Sequence, residues 1–285
     1  MKLATFRYSE QIGYGAVLGD EVINAAVLPD LPNTLCDFLA AGEAAQATLQ
    51  SFIASGAARL ALADVTLLAP IPRPGKYLGV GLNYRDHIEE TGFSKPDYPL
   101  FFNKQTTCVI GPGQAIIKPK ISDKVDYEGE LAIIIGRTAR DLDEQQAREV
   151  IAGYSIANDV SMRDWQMRSP TWTLGKSFDS HGPLGPWLVT ADEIGNPQQL
   201  RIQTWVDQEP RQDASTASMI FSCYELVAYL SQAMTLEAGD IIATGTPAGV
   251  GVKMKPRGYL RPGQTVKIAI DRIGCLTNPV VGEPN

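Results

Sequence analysis

Apolar runs along this chain are mostly short and separated by turn residues, a pattern typical of strands rather than of long amphipathic helices. Near the N-terminus, residues 3–6 and 14–18 predict a β-hairpin. Residues 35–39 and 44–54 predict two short helices, and Gly56 is placed to end the second of them. The first part of the chain is therefore predicted to form a small α/β unit.

A proline cluster at residues 70–75, with the sequence PIPRPG, separates this unit from the rest of the chain. Proline has no amide hydrogen and fixes φ, so the cluster cannot continue a helix or a central strand. We predict a boundary here, with a small N-terminal α/β domain at residues 1–70 and a larger domain at residues 71–285.

The larger domain contains many strand patterns and few helical ones. Strands are predicted at residues 78–81, 131–135, 154–157, 187–190, 202–206, 241–244 and 266–270, with the last closing the sheet. Helices are predicted at residues 84–90 between an N-cap at Asn83 and a stop near Gly92, at 144–151, and at 223–234 after a capping box formed by Ser222 and Glu225. The chain is therefore predicted to adopt a β-rich mixed α/β fold.

Two acids, Glu128 and Glu130, lead directly into the apolar run at residues 131–135. Side chains alternate along a strand, so these carboxylates are expected to point the same way. Burying them unpaired would cost several kcal/mol, and a hard cation such as Mg²⁺, with a third acid from elsewhere, would remove that cost. The other interpretation of such a pair is a solvated acidic strand face.

Composition narrows the classes of partner. The 285 residues are 44% hydrophobic and 20% charged, with a net charge of −7 and no basic block, which argues against nucleic acid or an anionic membrane as the partner. The negative net charge does not exclude an anionic substrate, since a metal can supply local positive charge. The N-terminus lacks a signal-peptide core, and no apolar run is long enough to span a bilayer.

The four cysteines lie far apart in sequence, at positions 36, 108, 223 and 275. Without a C-x-x-C pair they predict neither a zinc site nor a disulfide framework. Reduced thiols are typical of a cytoplasmic protein, which is the location we expect.

The chain has two histidines. On a helix, His87 and Glu90 would share a face, and a carboxylate beside an imidazole is the usual arrangement of a histidine general base. A surface histidine on a polar helix is the alternative interpretation. His181 lies in a turn-rich segment at residues 178–186, where a structural role is favoured over a catalytic one.

Other polar residues are candidate ligand-binding groups. Lys176 follows apolar and small residues and could be a buried cation for a substrate carboxylate or enolate. Arg163 and Gln166 would lie on the first turns of a helix after Asp159, where they could orient an oxygen-rich ligand. The loop at residues 245–251 lacks the G-K-[ST] ending of a nucleotide-binding loop, and it could present Thr244 or Thr246 and backbone amides to a carboxylate. The alternative interpretation of Lys176, Arg163 and Gln166 is that they are solvent-exposed, and the alternative for the loop is that it is a plain turn.

Taken in order, these segments resemble the fumarylacetoacetate hydrolase family. The resemblance covers nearly all of the chain after residue 70, and the N-terminal unit resembles the small domain that many bacterial members carry. Five motifs in the family's order support it: N-Y-x-x-H-x-x-E at 83–90, Y-E-G-E-L-A at 127–132, N-D-V-S-x-R-D-x-Q at 158–166, the run at 176–186, and A-T-G-T-P-A-G-V-G at 243–251.

The resemblance implies a β-roll or sandwich core around a central metal, usually in a homodimer. It implies Mg²⁺, with Mn²⁺ or Ca²⁺ as alternatives, held by Glu128, Glu130 and Asp159. Asp126, on the same strand face, is expected at most to support these ligands. A mobile lid would carry His87 and Glu90.

The resemblance also implies a small anionic keto acid as substrate. The metal would chelate its carboxylate and 2-keto oxygen, with Lys176 and Gln166 at the same end. His87 and Glu90 would activate water for attack on C4, and the C3–C4 bond would break to release pyruvate as an enolate held by the metal. Further substrate contacts are expected from Arg163, Thr246 and Tyr84, and tail contacts from Tyr84, Arg85, Tyr98, Phe102 and Trp172, chosen only for their proximity in sequence.

Two alternatives stay open. An oxaloacetate-type decarboxylase, or a hydroxymuconate-type isomerase or hydratase, could use the same site, because each passes through a similar enolate. A non-enzymatic ligand-binding or structural protein is the third hypothesis. The intact set of acids, histidine and lysine argues against it.

Overall fold

The computed structural model describes residues 1–56 and 58–284, and it confirms the β-rich mixed α/β fold class. Its strands are β1 (Lys2–Tyr8), β2 (Gln11–Leu18), β3 (Glu21–Asn24), β4 (Arg59–Ala61), β5 (Thr66–Leu67), β6 (Tyr77–Gly81), β7 (Leu100–Asn103), β8 (Val109–Ile110), β9 (Ile116–Lys118), β10 (Val125–Asp126), β11 (Gly129–Ile135), β12 (Ile151–Asn158), β13 (Ser161–Met162), β14 (Gly182–Thr190), β15 (Arg201–Val206), β16 (Glu209–Ser215), β17 (Ile241–Ala243), β18 (Thr265–Ile270) and β19 (Gly274–Gly282).

The helices are fewer and mostly short. The α-helices are α1 (Leu35–Ala40), α2 (Gly42–Ser55), α3 (Arg85–Thr91), α4 (Glu144–Val150), α5 (Arg163–Gln166), α6 (Ala191–Ile194) and α7 (Cys223–Ala233). Short 3-10 helices lie at Ala25–Val27, Leu62–Asp64, Thr106–Cys108, Pro197–Gln199, Thr216–Ser218 and Gly251–Lys253. None of the described helices is long and apolar enough to cross a membrane.

One large sheet runs through both parts of the chain, in the order β4-β3-β2-β1-β14-β12-β11-β17-β6-β7. Lys2 pairs with Val189 on β14, so the predicted N-terminal hairpin extends the sheet of the later part. The division at residue 70 stays a prediction. Asn285, the last residue of the predicted second domain, lies outside the described residues.

Strand β11 lies at the centre of this sheet, and all of its residues are buried. Leu131 and Ile133 face a cluster that includes α4, α7 and the second sheet, whereas Ala132 and Ile134 face a cluster that includes α1 and α2. A slip by one residue would exchange these two faces, so packing fixes the register. That register pairs Gly129 with the last residue of β12 and so places the next residue of the chain beside Glu128.

The prediction that residues 266–270 close the sheet was wrong. This segment is a strand, but β18 lies between β15 and β19 in a separate five-stranded sheet, ordered β16-β15-β18-β19-β9. Strand β19 was not predicted, because Pro279 and polar residues interrupt its apolar pattern. The segment at 178–186 was only partly a loop, since β14 begins at Gly182.

Asn83 is not the N-cap of α3, as was predicted. The helix begins at Arg85 with Tyr84 at the N-cap position and no side-chain cap, and it ends at Gly92 in a left-handed conformation, as expected. The side-chain Nδ2 of Asn83 instead donates to the Thr244 carbonyl at 2.7 Å and to the Phe221 carbonyl at 3.1 Å. Its Oδ1 accepts from the Phe221 backbone amide at 2.8 Å. It therefore ties the start of α3 to two distant segments.

We expect Asn83→Ala to lower the free energy of unfolding by about 2–4 kcal/mol, because it leaves several buried backbone groups without partners. Urea unfolding followed by circular dichroism measures this change. Asn33→Ala, at an exposed asparagine, is the matched control and should change stability by less than about 0.5 kcal/mol. Equal stability of the two variants would contradict the role of Asn83.

Candidate metal centre and active site

The structure brings together the three acids expected as metal ligands. Glu128 lies between β10 and β11, Glu130 lies in β11, and Asp159 follows β12. All three are buried, and one carboxylate oxygen from each lies within 4.8 Å of the others. The Asp159 amide donates to the Glu128 carbonyl at 2.8 Å, which extends the β11–β12 pairing to the site itself.

Basic side chains neutralise two of these acids. Lys176 Nζ lies 2.7 Å from Glu128 Oε2 and 2.5 Å from Asp159 Oδ2, and Lys104 Nζ lies 2.6 Å from Asp159 Oδ1. Arg163 Nη1 lies 2.6 Å from Glu128 Oε1. Burial alone would raise the pKa of Glu128, but Lys176 and Arg163 outweigh it and hold that pKa well below its usual range.

Glu130 forms no ion pair with a basic side chain in the described residues, and the positive charge of Lys176 offsets its burial only in part. Its carboxylate accepts a hydrogen bond from the Gly245 amide at 2.8 Å, but no lysine, arginine or histidine in the described part of the chain lies within 4.0 Å of it. Burial, and then repulsion from Asp159 and Glu128, raises its pKa well above the ordinary value. A buried all-oxygen donor set in which one carboxylate forms no ion pair fits a hard divalent cation such as Mg²⁺, Mn²⁺ or Ca²⁺.

Asp126 supports the site through Arg163. Its Oδ2 accepts from Arg163 Nε at 2.8 Å, and the same carboxylate accepts from the Gly251 and Val252 amides, each at 2.8 Å. Arg163 Nη1 also donates to Gln166 Oε1 at 3.1 Å. The guanidinium is thereby fixed between the acids and the loop that follows β17.

His87 and Glu90 form the expected pair on α3, with His87 Nδ1 3.1 Å from Glu90 Oε2. Glu90 Oε1 accepts from the Gly249 amide at 2.9 Å, which holds the carboxylate in place. Because Glu90 engages Nδ1, Nε2 is the imidazole nitrogen left for a ligand. His87 is 8% exposed and lines the central cavity.

The cavity has a volume of about 260 Å³ and is lined by both polar and apolar side chains. Its polar lining residues are His87, Thr91, Glu128, Glu130, Arg163, Gln166, Lys176, Thr246 and Lys253. Its apolar lining residues are Val80, Leu82, Phe93, Phe102, Met167, Trp172 and Val252. The cavity can therefore hold a ligand that combines an oxygen-rich end with an apolar part.

Some expected residues lie elsewhere. Tyr84 does not line the cavity; its ring has no exposed surface and packs in the hydrophobic core, so the predicted substrate contact was wrong. Of the other residues named for the substrate tail, Arg85 and Tyr98 also lie off the cavity wall. His181 is buried, with Nε2 3.0 Å from the Ile117 carbonyl, and burial lowers its pKa to about 4.

Lys104 was not predicted. Its Nζ donates to the carbonyl oxygens of Lys176 at 2.5 Å and His181 at 2.9 Å, in addition to its ion pair with Asp159. The available signal was a lysine immediately after the apolar strand β7, which is weak because lysine at a strand end is usually solvated.

Residues 76–281 match the model of the fumarylacetoacetate (FAA) hydrolase C-terminal domain. The chain belongs to this family. It is 40% identical, over 99% of its length and 90% of the relative's, to a mitochondrial oxaloacetate tautomerase, fahd2, of Xenopus laevis.

Two solved structures resemble the whole chain. One is a maleylpyruvate hydrolase from Sphingobium sp. SYK-6 in complex with manganese(II) and pyruvate, with a TM-score of 0.85, 30% identity and full coverage of both chains. The other is a 2-hydroxyhepta-2,4-diene-1,7-dioate isomerase from Mycobacterium marinum, with a TM-score of 0.80, 35% identity and full coverage of both chains.

This fumarylacetoacetate hydrolase family member is an enzyme, as expected, because its close relatives are hydrolases, isomerases and tautomerases. The hypothesis of a non-enzymatic binding protein is not supported. The acidic cluster provides a candidate site for a divalent metal, and the hydrolase relative contains Mn(II).

Glu130→Gln tests whether the buried Glu130 carboxyl, which has no ion pair, destabilises the metal-free protein. Without metal, we expect this variant to be about 1–3 kcal/mol more stable than the wild type near pH 7, because it removes a buried carboxyl group whose ionisation the folded state disfavours. With Mn²⁺, the wild type should gain about 2.7 kcal/mol at one hundred times the dissociation constant, and the variant much less at the same concentration. Thermal unfolding with and without Mn²⁺, together with titration calorimetry, measures both effects.

The stability of the metal-free protein should depend on pH in a defined direction. Because the folded-state pKa of Glu130 is raised, its contribution to stability is present below the ordinary carboxyl pKa and is lost as pH rises through the folded value. Metal-free wild type should therefore lose this contribution on going toward neutral pH, whereas Glu130→Gln should not. Glu10→Gln, at an exposed acid, is the control, and matching pH profiles for all three proteins would contradict this expectation.

Proposed function

We propose that this chain is a Mg²⁺-dependent hydrolase that cleaves a C–C bond in 2,4-diketo acids of the acylpyruvate type, with Mn²⁺ or Ca²⁺ as alternative ions. The observation that carries the proposal is one cavity lined by the buried acids Glu128 and Glu130, by the imidazole of His87, and by apolar side chains that form an apolar wall. The acids suit an oxygen-rich end of a substrate, and the apolar wall suits an acyl group.

Glu128, Glu130 and Asp159 would hold the ion, which when bound would polarise the carboxylate and 2-keto oxygens of the substrate. Lys176 would add positive charge at this end, since its ammonium is already fixed beside two of the acids. Arg163, Gln166 and Thr246 line the same region. Thr246 Oγ1 is held by the Gly129 carbonyl and the Gln212 side chain, so its position is fixed.

His87 would act as the general base. Nε2 would take a proton from water, and the Glu90 carboxylate at Nδ1 would stabilise the imidazolium that forms. The hydroxide oxygen would add to the C4 carbonyl, and the C3–C4 bond would then break with its electron pair moving to C3. Protonation at C3 would give pyruvate, and C4 would leave as a carboxylic acid.

Helix α3 would keep this chemistry away from bulk water. Three contacts tie it to the segment that follows β17: Asp86 Oδ2 accepts from the Ala248 amide at 3.3 Å, Glu90 accepts from the Gly249 amide, and Lys253 Nζ donates to the Thr91 carbonyl at 3.0 Å. Their release and re-formation would let α3 open and close over the cavity.

A second candidate is keto–enol tautomerisation of oxaloacetate. It is favoured by the tautomerase relative that is 40% identical over nearly the whole chain. His87 would then move a proton at C3 without activating water. We rank this candidate second because oxaloacetate has no acyl group that would contact the apolar wall. Decarboxylation of oxaloacetate and isomerisation of a hydroxymuconate-type dienoate are further alternatives in the same site.

Homodimer formation and a cytoplasmic location are likewise proposals, which rest on family resemblance and on the reduced-thiol pattern of the sequence. Size-exclusion chromatography with light scattering would measure the assembly state.

We expect metal-dependent release of pyruvate from acetylpyruvate, fumarylpyruvate or a 2,4-diketo-3-deoxy sugar acid, measured by coupling to lactate dehydrogenase. His87→Ala should lower kcat by about 10²–10⁴-fold, because it removes the general base. The dissociation constant for Mn²⁺ should change little, since His87 is not among the three acids.

Glu89→Gln, on the exposed side of α3, is the control and should retain wild-type activity. Full activity of His87→Ala would contradict the assigned base. Decay of the oxaloacetate enol, with no pyruvate from any diketo acid, would replace the hydrolase proposal with the tautomerase one, and pyruvate formed from oxaloacetate alone would indicate a decarboxylase.

A further inference from the structure

Lys253 is a cation of the cavity lining to which the proposed chemistry gives no role beyond its contact with α3. It ends the short 3-10 helix Gly251–Lys253, whose Gly251 and Val252 amides are both bound by Asp126. The Lys253 amide itself donates to the Val250 carbonyl at 3.0 Å. The backbone that carries this side chain is therefore held firmly in place.

The charge of Lys253 lacks an anionic partner. Its Nζ donates to the Thr91 carbonyl, a neutral acceptor, and no carboxylate of residues 1–56 or 58–284 lies within 4.0 Å of it. Lys104 and Lys176, in contrast, each contact a buried carboxylate. An ammonium has three donor hydrogens, so Lys253 has donors left for a ligand.

Lys253 and two of the acids, Glu128 and Glu130, line the cavity from different elements of the fold. The acids lie at the ends of β11 and β12, whereas Lys253 contacts the last residue of α3, one helical turn beyond His87. Phe93, Phe102 and Trp172 contribute apolar surface to the same cavity. This arrangement suits a ligand that is anionic at both ends and apolar between them.

We propose that Lys253 binds a second carboxylate at the far end of the substrate. The preferred substrate class would then be an acylpyruvate whose acyl group itself ends in a carboxylate. This inference rests on the proposed function for the reaction, but the binding role of Lys253 can be measured without turnover.

A purely structural role is the competing explanation. A lysine at the C-terminal end of a helix stabilises that helix, and Lys253 could serve only to hold α3 and its histidine in place. That role would affect all substrates equally, since each of them needs His87. The two roles therefore differ in how they depend on the charge of the substrate.

The kinetic test compares fumarylpyruvate, which has two carboxylates, with acetylpyruvate, which has one. In Lys253→Met the ratio of their kcat/KM values should fall by about 10–100-fold, mainly through KM for fumarylpyruvate, as expected for the loss of a charge-assisted hydrogen bond. Lys253→Arg should restore most of the ratio. Lys255→Met removes an exposed lysine two residues away and should leave the ratio unchanged.

The binding test uses the Mn²⁺-loaded protein and two six-carbon 2-oxo acids that differ only at the far end, 2-oxoadipate and 2-oxohexanoate. Calorimetry should show tighter binding of 2-oxoadipate by the wild type and loss of that preference in Lys253→Met. If the wild type shows this preference but cleaves no diketo acid, the proposed function fails and the role of Lys253 stands.

Two kinds of result would overturn the assignment. Equal loss of activity toward both substrates in Lys253→Met would show that the residue only holds α3. Unchanged activity toward both substrates, or an unchanged preference for 2-oxoadipate, would show that it does not recognise a second carboxylate.

Discussion

The balance of buried charge around the acids is the constraint on which the site depends. Four carboxylates and three cations meet there, so one negative charge is left over: Asp126, Glu128, Glu130 and Asp159 against Lys104, Arg163 and Lys176. Burying an uncompensated carboxylate costs several kcal/mol, and the raised pKa of Glu130 expresses that cost. A divalent cation would turn the local charge from −1 to +1, which suits an anionic substrate.

Burial of apolar side chains around β11 provides the stability that offsets the cost of burying these charged groups. Strand β11 is covered by apolar side chains on both faces, and burial of each Leu or Ile contributes about 1.5–3 kcal/mol relative to exposure. Its pairing with β12 brings Asp159 to Glu128, and Lys104 and Lys176 complete the cluster from distant segments. The N-terminal helices therefore stabilise the candidate metal site indirectly, because they cover one face of the strand that carries Glu130.

Local patterns in the sequence were sufficient for the features that depend on local geometry. Alternation along a strand indicated that Glu128 and Glu130 act together, and three-residue helical spacing indicated the pair of His87 and Glu90. Contacts between distant segments were beyond such patterns. Lys104 resembles a solvated strand end until the fold buries it beneath Asp159, and Asn83, Tyr84 and strand β19 were misjudged or missed because packing across the chain, not local propensity, decides their surroundings.

Asp126 connects the acid cluster to the loop that carries Lys253. Asp126 binds Arg163, which contacts Glu128, and it also binds the amides that precede Lys253, whose side chain reaches α3. Relatives that share this fold carry the names of a hydrolase, an isomerase and a tautomerase. If the proposed enolate chemistry takes place at the acids, it suits all three reactions, and the choice among them would fall to the residues around His87 and to the apolar wall.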